Sequence, residues 1–289
     1  MKNLPSASAG AHPTPTPWVE KQIQLVLNKP LDVRFYGRRP AAGTVPLVLH
    51  FHAGAFAGGS LEGGSCVASL LAEAGAVVMS LDYPLAPEHP FPAAVETGYA
   101  ALVWAWKARQ KLAGAGAPVF VAGEEAGGNL AAAVSLMARD QQAPPLAGQI
   151  LLSPMLDPCL GTASLRDAEA GPVGCTWADG WHKYLPRLED ASHPYAAPGS
   201  ALRLTGLPPT LLITAQDDPL RDETLAYAAR LRSAGLAVRD TVLPVPTGWP
   251  CSYLNPGSHK AAWAAVLQEQ FTGFFSTAGT AQAAPASPS

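Results

Sequence analysis

The sequence has little charge and no surplus of basic residues. Only 14% of its 289 residues are charged, and 19 Lys and Arg against 22 Asp and Glu give a formal net charge of -3. This balance provides no basic stripe for nucleic acid and no polybasic patch for an anionic membrane. We therefore expect neither nucleic acid nor a membrane among its partners.

Long apolar runs and paired cysteines are missing as well. No apolar run approaches the roughly 18 residues that a membrane span needs, and no apolar stretch follows the lysine near the N-terminus. The four cysteines are scattered without a CxxC pair, which argues against a disulfide framework and a structural zinc. We expect a cytoplasmic chain with reduced thiols, no metal and no cofactor.

The sequence does contain an alternation of apolar strands and helices, in a chain long enough for one large α/β domain. The predicted strands are Val19–Leu27, Leu31–Tyr36, Val45–Phe51, Ala76–Asp82, Pro118–Ala122, Gln149–Leu152, Thr210–Thr214 and Val238–Leu243. The predicted helices are Gly63–Ala74, Phe91–Leu112, Ala126–Arg139, Asp222–Ser233 and His259–Phe275. Continuous apolar strands separated by helices indicate a mostly parallel sheet covered on both faces.

The predicted domain spans residues 18–276, and both ends of the chain differ from it in composition. Residues 1–17 are rich in Pro, Ser, Thr and Ala, and residues 277–289 have no large apolar side chain. Neither segment can bury enough surface to repay its ordering entropy, so both are predicted to be disordered.

One segment inside the domain, residues 154–206, interrupts the alternation. It is rich in Pro, Gly, Asp and Ser and carries a short aromatic cluster of Trp177, Trp181 and Tyr184. A connection of this length within a compact domain is typical of a lid, here over the C-terminal ends of the strands. A meandering surface excursion is the alternative.

Four motifs occur in a fixed order along the chain. They are HAGAFAGGS at 52–60, SLDYPLAPEHPFPAAVE at 80–96, VFVAGEEAGGNL at 119–130 and DDPLRDET at 217–224. The third predicts a strand, a sharp glycine turn and a helix start. Together, these motifs resemble the bacterial hormone-sensitive-lipase-like branch of the α/β-hydrolase fold, over nearly the whole chain from about Val19 to Phe275.

The resemblance implies a mostly parallel sheet of about eight strands with helices on both faces. It also implies a reduced cap, since only about seventeen residues precede the first strand where the family carries a pair of helices. Family members are serine esterases. A serine at the glycine turn, an aspartate and a histidine form a triad, and a glycine-rich turn supplies backbone amides to the oxyanion.

The triad carries over position by position, and two of its three members are changed. The nucleophile position holds Glu125, the acid position holds Asp218, and the family's histidine pattern lies over GWPCSY, which puts Cys251 at the base position. The corresponding oxyanion donors are the amides of Gly54, Ala55 and Ala126. The resemblance therefore implies a chain that has lost serine-esterase activity, because it has neither the attacking group nor the base.

Other histidines do not replace the base on sequence grounds. His259 is close in sequence but falls in the predicted final helix, and His182 and His193 lie in the 154–206 segment. His52 resembles the first histidine of the family's oxyanion turn, which has a structural role.

A glutamate at the nucleophile position restricts the chemistry. Attack on an ester would give an anhydride more reactive than the ester, whereas attack on an epoxide or alkyl halide would give a stable alkyl ester. Release of that ester requires a histidine to activate water. We instead expect Glu125 to swing back and accept N–H bonds from Ala126 and the HAGA turn, and neutral Cys251 to fill the space of the histidine beside Asp218.

Three classes of function follow. The favoured class is a catalytically silent homologue that binds a small apolar or ester-like ligand or a protein partner, as the plant gibberellin receptors of the same branch do. The second is an atypical hydrolase, acting on esters or, with Glu125 as nucleophile, on an epoxide or alkyl halide. The third is a structural or interaction protein that forms a homodimer through its last strand and helix.

Overall fold

The computed structural model describes residues 17–25, 30–167, 171–244 and 246–281. Most of the two segments predicted to be disordered lies outside the described residues, as does the predicted end of the first strand at Leu27. At the C-terminal end, the last helix continues to Ala281, through the first five positions of the predicted 277–289 tail. A helix anchored by the buried Phe271 can propagate beyond its last packed side chain, because each added residue gains one backbone hydrogen bond.

A twisted sheet forms the centre of the described part of the chain. Its eight strands are β1 Trp18–Gln24, β2 Pro30–Tyr36, β3 Leu47–Phe51, β4 Val77–Leu81, β5 Val119–Glu124, β6 Gly148–Leu152, β7 Thr210–Ala215 and β8 Val238–Leu243. Their spatial order is β1-β2-β4-β3-β5-β6-β7-β8. Only the β1–β2 and β2–β4 pairs are antiparallel, so the prediction of a mostly parallel sheet is confirmed.

Helices cover both faces of the sheet. They are α1 Ser65–Glu73, α2 Ala93–Ala113, α3 Ala126–Asp140, α4 Ala163–Asp167, α5 Gly171–Tyr184, α6 Arg221–Ser233 and α7 Ala262–Ala281. Alternate residues of β3 pack to opposite sides. Leu47 and Leu49 join the core under α2, α3 and α6, and Val48 joins the core under α1 and α7. This two-sided burial explains why most residues of the inner strands are apolar.

The 154–206 segment, predicted to be a lid or a surface excursion, contains the helices α4 and α5. One prediction of local structure was wrong, because His259 is not in the final helix but in a 3-10 turn, Pro256–Lys260, before α7. The side chain of Asn255 accepts the amide of Gly257 at 2.9 Å and caps this turn, so the helix begins only at Ala262.

No helix in the described ranges combines the length and the apolar character that crossing a bilayer requires.

Candidate functional site

A sharp turn joins β5 to α3, with Glu125 at its apex. Glu125 has φ 55° and ψ −117°, a conformation that non-glycine residues rarely adopt. The flanking glycines make close approach feasible, since a Cβ at Gly123 would lie 2.2 Å from the carbonyl oxygen of Gly127 and one at Gly127 2.0 Å from that of Phe51. Helix α3 therefore starts directly against the end of β3, which brings Glu125 beside the turn that follows this strand.

That turn presents two backbone amides to the carboxylate of Glu125. The N–H groups of Gly54 and Ala55 donate to Glu125 Oε2 at 2.6 and 3.0 Å. The turn holds this geometry with left-handed backbone at Ala55 (φ 48°) and Phe56 (φ 62°), so the alanine at 55 bears the strain that a glycine would avoid. The amide of Ala126, which the sequence suggested as a further donor, does not donate to this carboxylate.

Trp177 on α5 completes the environment of Glu125. Its indole Nε1 donates to Glu125 Oε1 at 2.5 Å, so both carboxylate oxygens accept hydrogen bonds. The Glu125 residue is only 5% exposed. A buried carboxylate is stable only when such donors replace the water it has lost. Sequence reasoning missed this contact, although it singled out the aromatic cluster.

Helix α5 packs directly on the turn. A Cβ at Gly180 would lie 2.1 Å from the carbonyl oxygen of Ala55, so the two backbones are in contact there. The ring of Phe56 stacks on Tyr184 with centroids 4.1 Å apart and lies 4.7 Å from Trp181. The predicted aromatic cluster of the 154–206 segment is thus buried against the turn.

Asp218 lies three residues after β7, and both of its carboxylate oxygens accept hydrogen bonds. Its Oδ2 accepts the hydroxyls of Ser153 and of Thr214, the latter at 2.6 Å, and its Oδ1 accepts the amide of Leu220 at 2.9 Å. Burial raises the pKa of Asp218 above its ordinary value, against the lowering effect of these hydrogen bonds.

The neighbouring Asp217 fixes the loop that leads to Cys251. Its carboxylate accepts the amides of Thr247 and Gly248, both at 2.9 Å, and the Thr247 hydroxyl at 2.6 Å. The amide of Ser252 then donates to the carbonyl of Gly248, which has φ 69°, and closes a tight turn. This turn determines which side chains of the segment face inward.

Cys251 faces outward, contrary to the expectation that it fills buried space beside Asp218. The cysteine is exposed, whereas Tyr253, two residues later, is 1% exposed. Burial, together with the charges of Glu125 and Asp218, raises the pKa of Tyr253 well above its ordinary value. The Tyr253 hydroxyl has no hydrogen-bond partner among the described residues. The buried group of this segment that is affected by the charges of Glu125 and Asp218 is therefore a neutral phenol, while the thiol of Cys251 is exposed.

No imidazole of the described residues is hydrogen-bonded to Glu125. His50 contacts the preceding residue instead, with Nε2 at 2.8 Å from Glu124 Oε2 and Nδ1 at 2.9 Å from the Ser80 hydroxyl. Glu124 also accepts the amide of Ala53 at 3.3 Å. This buried network holds the backbone of the turn at Ala53. Glu124, the first glutamate of GEEAGG, was the signal for it, and sequence reasoning left it without a role.

The other histidines have structural surroundings or face solvent. His52 Nδ1 lies 2.8 Å from the carbonyl oxygen of Ala53, and burial lowers the pKa of His52 to about 4. His193 packs against Phe91, and His259 Nδ1 contacts the carbonyl of Pro256. His182 is exposed. Within the described ranges, no group of three or more His, Cys, Asp or Glu has the arrangement of a metal site.

A cavity of about 860 Å³ lies close to the turn. Its apolar lining includes Leu25, Leu31 and Leu85, and Tyr83 forms part of the wall. The hydroxyl of Tyr83 donates to the carbonyl of His52 at 2.7 Å, so a hydrogen bond joins the cavity wall to the residue just before the turn.

Comparison with known proteins places these features in a family. The family model described as alpha/beta hydrolase fold (Abhydrolase_3) matches residues 48–244. Carboxylesterase NlhH of Mycobacterium tuberculosis is 36% identical over 221 residues, which cover 72% of this chain and 67% of that protein. Gibberellin receptor GID1A of Arabidopsis thaliana is 34% identical over 229 residues, covering 74% and 63%. A thermostable esterase from Pseudomonas putida superposes with a TM-score of 0.80 at 30% identity, covering 91% and 83%.

Proposed function

Because the chain belongs to this α/β-hydrolase family, which includes carboxylesterases, we propose that it is a catalytically silent member whose own Glu125 occupies the oxyanion amides. The single observation that carries the proposal is the pair of hydrogen bonds from Gly54 and Ala55 to one oxygen of Glu125. An ester could use these amides only after displacing a buried carboxylate.

Electrostatics oppose ester hydrolysis even if the substrate reaches the turn. Acyl transfer needs donors aimed at the place where negative charge develops. Here, the carboxylate of Glu125 already holds a negative charge at that place, and a second anion beside it is repelled. The site therefore destabilises the transition state that the fold stabilises when a serine is present.

The alternative of Glu125 as a nucleophile on an epoxide or alkyl halide has less support. Both oxygens of Glu125 accept hydrogen bonds, which lowers the nucleophilicity of the carboxylate. No imidazole of the described residues contacts the carboxylate to activate water for the second step, and Cys251 faces solvent. An alkyl ester formed on Glu125 would accumulate instead of turning over.

We further propose that the retained role is binding of a small apolar ligand. The cavity of about 860 Å³ beside Tyr83 has the volume and the mostly apolar walls of small-molecule sites. A relative whose name is that of a receptor, at 34% identity, supports a binding role for this scaffold. Dimerisation through β8 and α7 remains a further proposal that this cavity does not favour.

An esterase assay tests the proposal. We expect the wild type to show no hydrolysis of p-nitrophenyl acetate above the uncatalysed rate. We also expect no hydrolysis by Glu125→Ser or by the double variant Glu125→Ser with Cys251→His, because position 251 faces solvent and an imidazole there does not lie beside Asp218. Enzyme-like hydrolysis by the wild type that Glu125→Ala abolishes would overturn the proposal.

Hydrolysis by the double variant would mean that the loop around Gly248 can turn position 251 inward. Crystals of the double variant would then show the imidazole beside Asp218.

A further inference from the structure

A second concave surface lies between the β1–β2 pair and the C-terminal half of α2. It encloses a cleft of about 610 Å³. Its floor is apolar and aromatic and is formed by Ile23 of β1, Phe35 of β2, and Trp104 and Leu112 of α2. Ile23 is buried, while the other three are only partly buried. The cleft thus leaves a strip of apolar surface in contact with water.

The rim of this cleft carries three ammonium groups and no carboxylate. Lys21 stands on the β1 side, and Lys107 and Lys111 stand on the α2 side. All three are exposed, and no salt bridge joins any of them to a carboxylate of the described residues. Other surface cations of the chain are paired in this way, such as Arg232 with Asp240 and Lys183 with Asp179.

The three ammonium groups repel one another, and a bound anion would remove this unfavourable energy. Lys107 and Lys111 are four residues apart on one helix, where like charges repel and destabilise the helix. Lys21 adds a third positive charge across the cleft, with its ammonium group 5.7 Å from the centre of the Phe35 ring. Since the whole chain has a net charge of -3, this cluster of positive charge is local.

The neighbouring cavity beside Tyr83 has the opposite charge. Its rim carries Asp82, Glu88 and Glu96, which disfavour an anionic ligand there. Both cavities have apolar floors, so charge decides which ligand each accepts. Of these two, the cleft beside α2 is the one that fits an anion with an apolar body.

We propose that the cleft formed by β1, β2 and the C-terminal half of α2 binds a small amphipathic carboxylate. The apolar chain of the ligand lies on Phe35, Trp104 and Leu112, where it gains free energy with each buried methylene. The carboxylate meets the ammonium groups of Lys107 and Lys111. The proposal is independent of the state of Glu125, because the two sites share no residue.

A concave surface of this volume favours a monomeric ligand over a membrane. A bilayer contacts convex surfaces, and the apolar groups here form the floor of the cleft, below a rim of long lysine side chains. Small-molecule sites combine this kind of apolar floor with a few polar groups that fix orientation.

Calorimetric titration of the full chain with decanoate, kept below its micelle-forming concentration, tests the proposal. We expect one saturable site, and binding by octanoate weakened several-fold because two methylenes are missing. Decylammonium has the same apolar chain and the opposite charge, and we expect it to bind at least about tenfold more weakly than decanoate.

Charge-reversed variants assign the site. We expect Lys107→Glu with Lys111→Glu to weaken decanoate binding at least tenfold. Arg239→Glu with Lys260→Glu makes the same change in net charge on exposed side chains outside the cleft, and we expect it to leave the affinity unchanged. Both pairs lie on the surface, so thermal unfolding of each variant should match the wild type within a few degrees.

Several results would overturn the proposal. One is the absence of saturable decanoate binding, and another is equal binding by the Lys107→Glu, Lys111→Glu variant. A third is sedimentation with anionic phosphatidylglycerol vesicles that depends on these lysines while monomeric decanoate fails to bind, because the surface would then contact a membrane.

Discussion

The indole nitrogen of Trp177 and the carboxylate of Glu125 are 2.5 Å apart although the two residues are separated by 52 positions in the chain. Trp177 belongs to α5 and Glu125 to the turn between β5 and α3. The bond therefore ties the 154–206 segment to the centre of the site. It also supplies the third donor that a buried carboxylate at this position requires.

We predict that Trp177→Phe destabilises the protein more than Trp181→Phe does. The first change keeps most of the ring but leaves one oxygen of a buried carboxylate without a donor. Trp181 Nε1 has no partner among the described residues, so its loss removes no hydrogen bond. Losing a hydrogen bond to a charged group costs about 1.5–3 kcal/mol. Urea unfolding of the two variants measures the difference.

The two tryptophans form a matched pair, since both are on α5 and both are buried. Equal loss of stability in the two variants would show that the indole N–H of Trp177 contributes nothing. Hydrogen exchange provides a second measurement, in which Trp177→Phe should speed exchange within residues 175–184.

We predict that Glu125→Ala creates a binding site for a small anion. The amides of Gly54 and Ala55 and the indole of Trp177 would lose their acceptor, and each buried donor left unsatisfied costs about 1–3 kcal/mol. Acetate or formate can occupy the vacated volume and accept these bonds. The melting temperature of the variant should then rise with acetate concentration, while that of the wild type should not.

Glu125→Gln is the control for this experiment, because its amide oxygen still accepts the two backbone bonds. It should lose less stability than Glu125→Ala and show no acetate dependence. Equal acetate dependence in the wild type and both variants would contradict the assignment of these donors.

We predict that Gly180→Ala destabilises the protein even though alanine is the better helix former. A Cβ at this position would lie 2.1 Å from the carbonyl oxygen of Ala55, so α5 must move away from the turn. In an exposed helix, the same change would add about 0.5–1 kcal/mol of stability. Gly161→Ala is the control, because the nearest atom to its Cβ is 4.0 Å away. Thermal unfolding should show a lower midpoint only for the Gly180 variant.

We predict a loss of stability in mild acid that depends on His52. The folded pKa of His52 is about 4, below its ordinary value of 6.5, because burial disfavours the charged imidazole. Between these two values, the unfolded chain binds a proton that the folded chain does not, so stability falls as pH decreases from about 6.5 to about 4. The full effect is on the order of 3 kcal/mol.

Urea unfolding of the wild type and His52→Gln across this range measures the effect. The wild type should lose more stability than the variant over the interval. His89→Gln, which changes an exposed histidine, should follow the wild type. Carboxyl groups with raised pKa, such as Asp218, act in the opposite direction but equally in all three proteins. Parallel pH profiles of the wild type and His52→Gln would contradict the prediction.

The sequence predicted the sheet well, because strands buried on both faces have apolar residues at most successive positions. The strands at Leu47–Phe51 and Thr210–Ala215 are buried along their whole length and end within two residues of their predicted limits. Helix α5 was harder to predict. Its glycines and polar residues have low helix propensity, and the helix is stabilised by its contact with the turn at Ala55.

The candidate site was predictable where a motif fixed the backbone. The position of Glu125 at the apex follows from its flanking glycines, and that of Asp218 from the end of β7. The orientation of Cys251 was not predictable, because it depends on Asp217 binding the amides of Thr247 and Gly248 from 30 residues away. Such contacts leave no periodic signal in the sequence.

The hydrogen bonds from Gly54 and Ala55 to Glu125 join the turn after β3 to the turn before α3. A carboxylate held by these two amides has the same charge and shape at its reactive end as the acid that ester hydrolysis releases. The chain thus carries a tethered mimic of a reaction product, present at a fixed ratio of one per molecule and unable to diffuse away. Two amides of the turn after β3 are therefore bonded within the chain itself, without any small acid from solution.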